Sequence, residues 1–137
     1  MMDLDRALRI SAAGMQAQST RLRIVAENLA NRDSTAETPG GDPYRRKTVT
    51  FRNRMDRTLG APTVQVTRVG RAQGDFPMRH DPSHPAADPR GNVRMPNVDS
   101  MIETMDMREA QRSYAANLSV LEVTRGMLTR TIEALRG

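Results

Sequence analysis

The chain has 137 residues, with two Phe, two Tyr, no Trp and no Cys. That length fits one domain, the absence of Cys excludes disulfides and thiolate chemistry, and so few aromatics leave little material for a bulky core. The formal net charge of +5 lies wholly within residues 32–97, which hold 12 basic and 7 acidic residues, while the flanks are balanced.

All eight Pro fall between positions 39 and 96, so the chain divides into residues 1–31, 32–97 and 98–137. The first segment opens MMDLDRALRI. It has early acids and no apolar run of the kind a secretory signal carries, so no cleaved signal is expected. Positions 4, 8, 11, 15, 18, 22, 25 and 29 alternate spacings of four and three, and Leu4, Leu8, Met15, Leu22, Val25 and Leu29 make six of the eight apolar. This is a coiled-coil-like seam. A second row, Ile10, Ala13, Ala17 and Ile24, lies beside it, so the helix needs more than one neighbour to cover it. Gly14 interrupts the helix at roughly 1 kcal/mol relative to Ala. It reads either as a tolerated interruption or as a close approach of another backbone.

The helix closes on ENLANRDST, residues 27–35. Asn28 and Asn31, three apart, share a face beside the seam. Asn is a poor helix former. The pair serves a helix end buried by neighbours, supplying donors to free carbonyls or bridging to another chain; the alternative is a frayed end where Asn favours a turn.

The centre reads as short strands and turns. Arg46–Arg54 and Thr63–Val69 are rich in β-branched residues, and Asn92–Met95 is a third, very short strand. PGGDP at 39–43 and DPSHP at 81–85 are turn-forming. In the last segment, Ser100 and Glu103 fit a capping box. A seam then follows through Met107, Ala110, Tyr114, Asn117, Leu121, Thr124, Leu128, Thr131 and Leu135, widened by Leu118 and Ile132. The fold class expected is mainly α with a small β region: long N- and C-terminal helices packed as an antiparallel coiled coil around a central irregular β-containing segment.

Catalytic chemistry is hard to find. His80, Asp81 and His84 are separated by prolines that prevent a shared helical face, so no metal site is expected. There is no Gly-x-Ser-x-Gly elbow and no phosphate loop. We expect no catalytic residue, no metal and no cofactor. The basic run Tyr44-Arg45-Arg46-Lys47, continued by Arg52, Arg54 and Arg57, is the best nucleic-acid candidate. With few aromatics to stack bases, it reads instead as a contact with another subunit. No apolar run is long enough to span a membrane. The arms offer more apolar surface than they can bury against each other, which describes an assembling subunit or a soluble coiled-coil adaptor.

Four stretches name the assembly by resemblance. SAAGMQAQSTRLRIVAENLANRDST (11–35) resembles the N-terminal helix of flagellar axial proteins. GGDPYRRK (40–47), HDPSHPAADPRGNVRMPNVD (80–99) and EAQRSYAANLSVLEVTRGMLTRTIEAL (109–135) are similar, in order and spacing, to the flagellar rod protein FlgC family. The likeness is weakest over residues 59–79. It implies a structural subunit of the proximal rod of the bacterial flagellar basal body, exported through the type III apparatus without a cleaved signal. Such subunits assemble in the periplasm into a helical tube that transmits torque and surrounds the export channel. Its partners would be other rod proteins, copies of itself, the export apparatus and the MS-ring/adaptor region, with no nucleic acid and no membrane insertion. The residues expected at helix packing and subunit interfaces are Leu4, Leu8, Ile10, Met15, Leu22, Ile24, Val25, Asn28, Leu29 and Asn31, with Tyr114, Asn117, Leu118, Leu121, Leu128, Ile132 and Leu135. Tyr44, Arg45, Arg46 and Lys47 are expected at central-segment contacts with neighbours.

Overall fold

The computed structural model describes residues 2–137. The element order is α1 (Met2–Ala30), β1 (Lys47–Asp56), β2 (Ala61–Arg71), β3 (Met78–His80), β4 (Asn92–Arg94) and α2 (Ser100–Arg136). The fold is mainly helical with a small β part. By internal contact the chain forms two compact units, one of Met1–Leu22, Thr50–Arg68 and Arg108–Gly137, the other of Arg23–Val49 and Val69–Met107.

In the first unit the helices run antiparallel. Gly14 faces Asn117, where an added Cβ would lie 3.0 Å from the side-chain amide, and Arg21 meets Glu109 at 3.3 Å. Residue numbers thus rise along α1 as they fall along α2. Gly14 therefore makes room for a side chain of the opposite helix rather than for a backbone. Glu103, Met107, Ala110, Tyr114, Asn117, Leu121, Thr124 and Leu128 are buried or half-buried along α2, with Ser100, Asp106, Ser113 and Gly126 half-buried at its flanks. From Glu103 to Leu128 the spacing of that row alternates four and three, as a coiled-coil seam requires. Thr131 and Leu135, which continue the same spacing, are exposed.

The β1–β2 hairpin belongs largely to this unit. Thr67 and Thr63 hydroxyls donate to the carbonyls of Thr50 and Arg54, so the strands pair in opposite directions. Asp56 closes the turn: its carboxylate accepts the N–H groups of Thr58 (2.9 Å) and Leu59 (3.2 Å), and its carbonyl accepts that of Gly60 (2.8 Å). Gly60 has φ +66°, a conformation in which a Cβ is unfavourable. Ala13, Gln16, Ala17 and Thr20 of α1 face Asp56, Leu59, Thr63 and Gln65 across a partly open cavity of about 400 Å³. The hairpin thus covers part of the second apolar row of α1, and Ala17 is buried within the chain.

In the second unit, β3 and β4 pair antiparallel, with Met78 opposite Arg94 and His80 opposite Asn92. β3 has no signal in the sequence, because three residues are too few for a period to show. Between the strands, His84 accepts the Ala86 N–H at Nδ1 (3.0 Å), which leaves Nε2 to donate to the Thr35 hydroxyl (3.1 Å). Gly91 has φ +83°, and a Cβ there would come within 2.9 Å of His80 and Pro82. Phe76 is buried beneath two guanidinium groups, Arg45 at 4.3 Å and Arg94 at 4.9 Å from the ring centre.

The start of α2 differs from expectation. Asp99, not Ser100, is the N-cap: its carboxylate accepts the N–H groups of Met101 (2.9 Å) and Ile102 (3.4 Å). Asp caps as well as Ser and adds a negative charge at the positive end of the helix dipole. The Ser100–Glu103 box does not form, because Glu103 is engaged elsewhere.

Gly14→Ala gains helix propensity but presses a methyl against Asn117. A double-mutant cycle of Gly14→Ala and Asn117→Ala, read by urea unfolding, is expected to show a coupling on the order of 1 kcal/mol, with Gly14→Ala better tolerated once Asn117 is trimmed. Strict additivity would remove this contact from the account.

Candidate functional site

Glu103 lies on the backward extension of the α2 seam, four residues before Met107. It has no exposed surface. A buried carboxylate must be paired and hydrogen-bonded to remain charged. Arg46, just before β1, supplies the partner: its Nε donates to Glu103 Oε1, and its Nη2 lies 3.6 Å from Asp106. Asn28 Nδ2 donates to the other carboxylate oxygen at 3.3 Å.

Asn28 is itself 1 % exposed and uses both ends of its amide. Nδ2 also donates to the Lys47 carbonyl (3.0 Å), and Oδ1 accepts the Lys47 N–H (2.9 Å). The amide therefore pairs with Lys47 as a neighbouring strand would. Oδ1 takes a second bond, from the Tyr44 hydroxyl at 2.7 Å. Burial, and then the charges of Glu27 and Glu103, push the Tyr44 phenol above its ordinary value, so the hydroxyl stays protonated to donate. The Lys47 ammonium reaches Glu27 at 2.9 Å. That hydrogen bond, then the Lys47 and Arg23 charges, hold the Glu27 carboxyl below its ordinary value against desolvation. Asn97 closes the cluster by accepting the Arg46 N–H at 2.7 Å. The result is a polar junction joining the end of α1, the entry to β1 and the start of α2.

The two asparagines of ENLANRDST divide the work. Asn28 is the centre of this junction, and its partners are all in its own chain. Asn31 caps: its Nδ2 donates to the Glu27 carbonyl at 2.9 Å, and its Oδ1 accepts the Ser34 hydroxyl. That carbonyl also accepts the Asn31 backbone N–H at 3.1 Å, so the side chain adds a second bond that braces the last turn of α1.

Tyr44, Arg45, Arg46 and Lys47 all have partners within the chain. Arg45 donates to the carbonyls of Ala72 and Gly74, each at 3.0 Å, while it stacks on Phe76. Among the residues expected at helix packing or interfaces, Ile24 and Val25 are buried. Leu4, Leu8, Met15, Leu22, Leu29, Tyr114, Asn117, Leu121 and Leu128 are half-buried, and Ile10, Leu118, Ile132 and Leu135 are exposed. Glu103 was missed as a junction residue. The available signal was its seam position, because a charge at such a position needs a buried partner.

What this arrangement can do is hold shape. The junction's carboxylates serve ion pairs and hydrogen bonds, and no group of three or more potential metal ligands occurs among the described residues. Among the described residues, no helix is long and apolar enough to cross a membrane. Two long helices locked to a small β region define a structural, assembling protein, and the family model for the C-terminal part of flagellar basal body rod FlgEFG proteins matches residues 90–134. The particular family follows from full-length relatives. The chain is 53 % identical to the flagellar basal-body rod protein FlgC of Agrobacterium fabrum, over 97 % of this chain and 96 % of that one. It is 41 % identical to the Aquifex aeolicus protein of the same name, over 98 % of each chain, and 40 % identical to that of Salmonella typhimurium, over 90 % and 91 %. The chain belongs to the FlgC family of flagellar basal-body rod proteins, and its role is structural, not enzymatic.

Arg46→Ala leaves the Glu103 charge buried and is expected to cost about 3 kcal/mol. Adding Glu103→Gln should recover most of that loss in urea unfolding, because the orphaned charge outweighs the missing bond. Glu27 gives a pH signature. Its folded pKa lies below the unfolded value, so its contribution is complete above the ordinary carboxylate range and fades as pH falls through the folded value. Between about pH 5 and pH 3, the wild-type unfolding midpoint should fall further than that of Glu27→Gln.

Proposed function

We propose that the chain is a subunit of the proximal rod, contributing to a helical tube that crosses the periplasm, transmits torque and surrounds the export channel. The carrying observation is the outer face of α2. Met101, Met105, Val120, Val123 and Met127 are between 49 % and 74 % exposed. They fall on one side of the helix at roughly 100° per residue, away from the buried seam. A helix that buries one stripe and leaves another apolar is built to be covered from outside. Contacts between non-identical patches can continue without closing, which generates a filament. The partners in this reading are other rod proteins, further copies of the chain, the type III export apparatus and the MS-ring/adaptor region.

Deleting the gene should abolish rods and motility, and the wild-type chain should restore both. Val123→Glu places a charge on the outer face of α2. It should leave the unfolding of the isolated chain within about 0.5 kcal/mol of wild type and yet fail to enter purified basal bodies. Normal incorporation of that variant would show that this face is not covered in the assembly.

A further inference from the structure

The charge excess of residues 32–97 narrows once the elements are placed. The β1–β2 hairpin, residues 47–71, holds Lys47, Arg52, Arg54, Arg57, Arg68 and Arg71 against Asp56 alone. Its net charge of +5 equals that of the whole chain. Lys47 is paired with Glu27 at the hairpin base, and the Asp56 carboxylate serves the turn. Arg52, Arg54, Arg57 and Arg68 are exposed. Among the described residues, no ion pair holds any of their side chains. Elsewhere, Arg9, Arg23, Arg32 and Arg94 each meet an acid within 4.0 Å, and exposed arginines such as Arg79, Arg108 and Arg125 have no ion pair among the described residues; the hairpin differs in crowding its charges around a single acid. Like charges crowded on one hairpin repel one another, and the fold gains no compensating contact from them.

We propose that this hairpin is a docking element for an acidic protein surface, one that presents clustered Asp or Glu carboxylates on a neighbouring subunit. The inference rests on the reading of the chain as a rod subunit. The guanidinium fork of Arg suits bidentate pairing with carboxylates. Next to Arg54 and Arg68 in sequence, Met55 is 61 % exposed and Val69 46 % exposed. Arginine mixed with apolar side chains, Met among them, is the composition of protein interfaces. Guarding a strand edge against unwanted pairing would account for the charges but not for the bare apolar neighbours. A single-stranded nucleic acid would need stacking platforms, and the only aromatic residue of the hairpin is the half-buried Phe51. A lipid surface would need an apolar tip, whereas the turn presents Arg57 and Thr58 with Leu59 half-buried.

The test uses the full-length chain in cells lacking the gene. One variant carries Arg→Glu at 52, 54, 57 and 68, and a milder one carries Arg→Gln at the same positions. Purified, both should keep wild-type helicity and unfolding midpoints. The Glu variant should enter basal bodies at least about tenfold less than wild type, with the Gln variant between them. Thr58→p-benzoylphenylalanine, irradiated in assembled basal bodies, should cross-link to a neighbouring subunit's peptide rich in Asp or Glu. Wild-type incorporation of the Glu variant would overturn the proposal. So would a cross-linked peptide without clustered acids, no protein cross-link, or wild-type binding to duplex DNA or phosphatidylglycerol vesicles that the Gln variant loses. Failure of the wild-type chain to enter basal bodies at all would instead overturn the rod reading.

Discussion

A carboxylate with no exposed surface sits at the start of α2, and the second compact unit is organised around satisfying it. Glu103 needs a cation and a donor, and it takes them from two different parts of the chain: Arg46 at the entry to β1 and Asn28 near the end of α1. An ion pair of this kind contributes little net stability, because desolvation offsets much of the attraction. Its consequence is register. Only one alignment of the three segments leaves neither Glu103 nor Asn28 unpaired, so a shifted alignment would leave a charge or an amide buried alone. Asn28 reinforces this by bonding both backbone groups of Lys47.

The seams follow a different physics. Between the buried ends of the stripe on α2, the positions are filled by Ala110, Tyr114, Asn117, Leu121 and Thr124, a mixture of small, polar and apolar side chains. Such a stripe holds two helices together without a large core. A second apolar stripe of α2 lies outside it, formed by Met101, Met105, Val120, Val123 and Met127. A chain that buries one stripe of a helix and leaves a second apolar stripe exposed has interaction energy directed outwards, as a subunit of an assembly requires.

Much of this was legible from the residues. The helix limits, the seam of α2 and the strands around Val49 and Val66 follow from period and from the confinement of proline to the centre. Local signals served less well where two residues could do one job. Asp99 and Ser100 both suit an N-cap, and the choice depended on Glu103 being required in the junction. The asparagines of ENLANRDST read as serving a helix end buried by neighbouring chains, whereas Asn28 bonds to Lys47, Tyr44 and Glu103 of its own chain and Asn31 to the last turn of α1. Arg45 and Arg46 read as charges for another subunit, although they have partners within the chain, Phe76 and Glu103, 31 and 57 residues further along.

By itself the sequence determined two long amphipathic helices, a turn-rich β-containing centre, surplus apolar surface and the likeness to flagellar rod proteins. These depend on periods, punctuation and motif order, all of which are local along the chain. Only the tertiary structure decided which charges are committed internally and which remain available. Arg46 and Lys47 are consumed by the junction, while Arg52, Arg54, Arg57 and Arg68 have no ion-pair partner among the described residues. Pairing depends on distances between residues far apart in sequence, and composition carries no record of those distances.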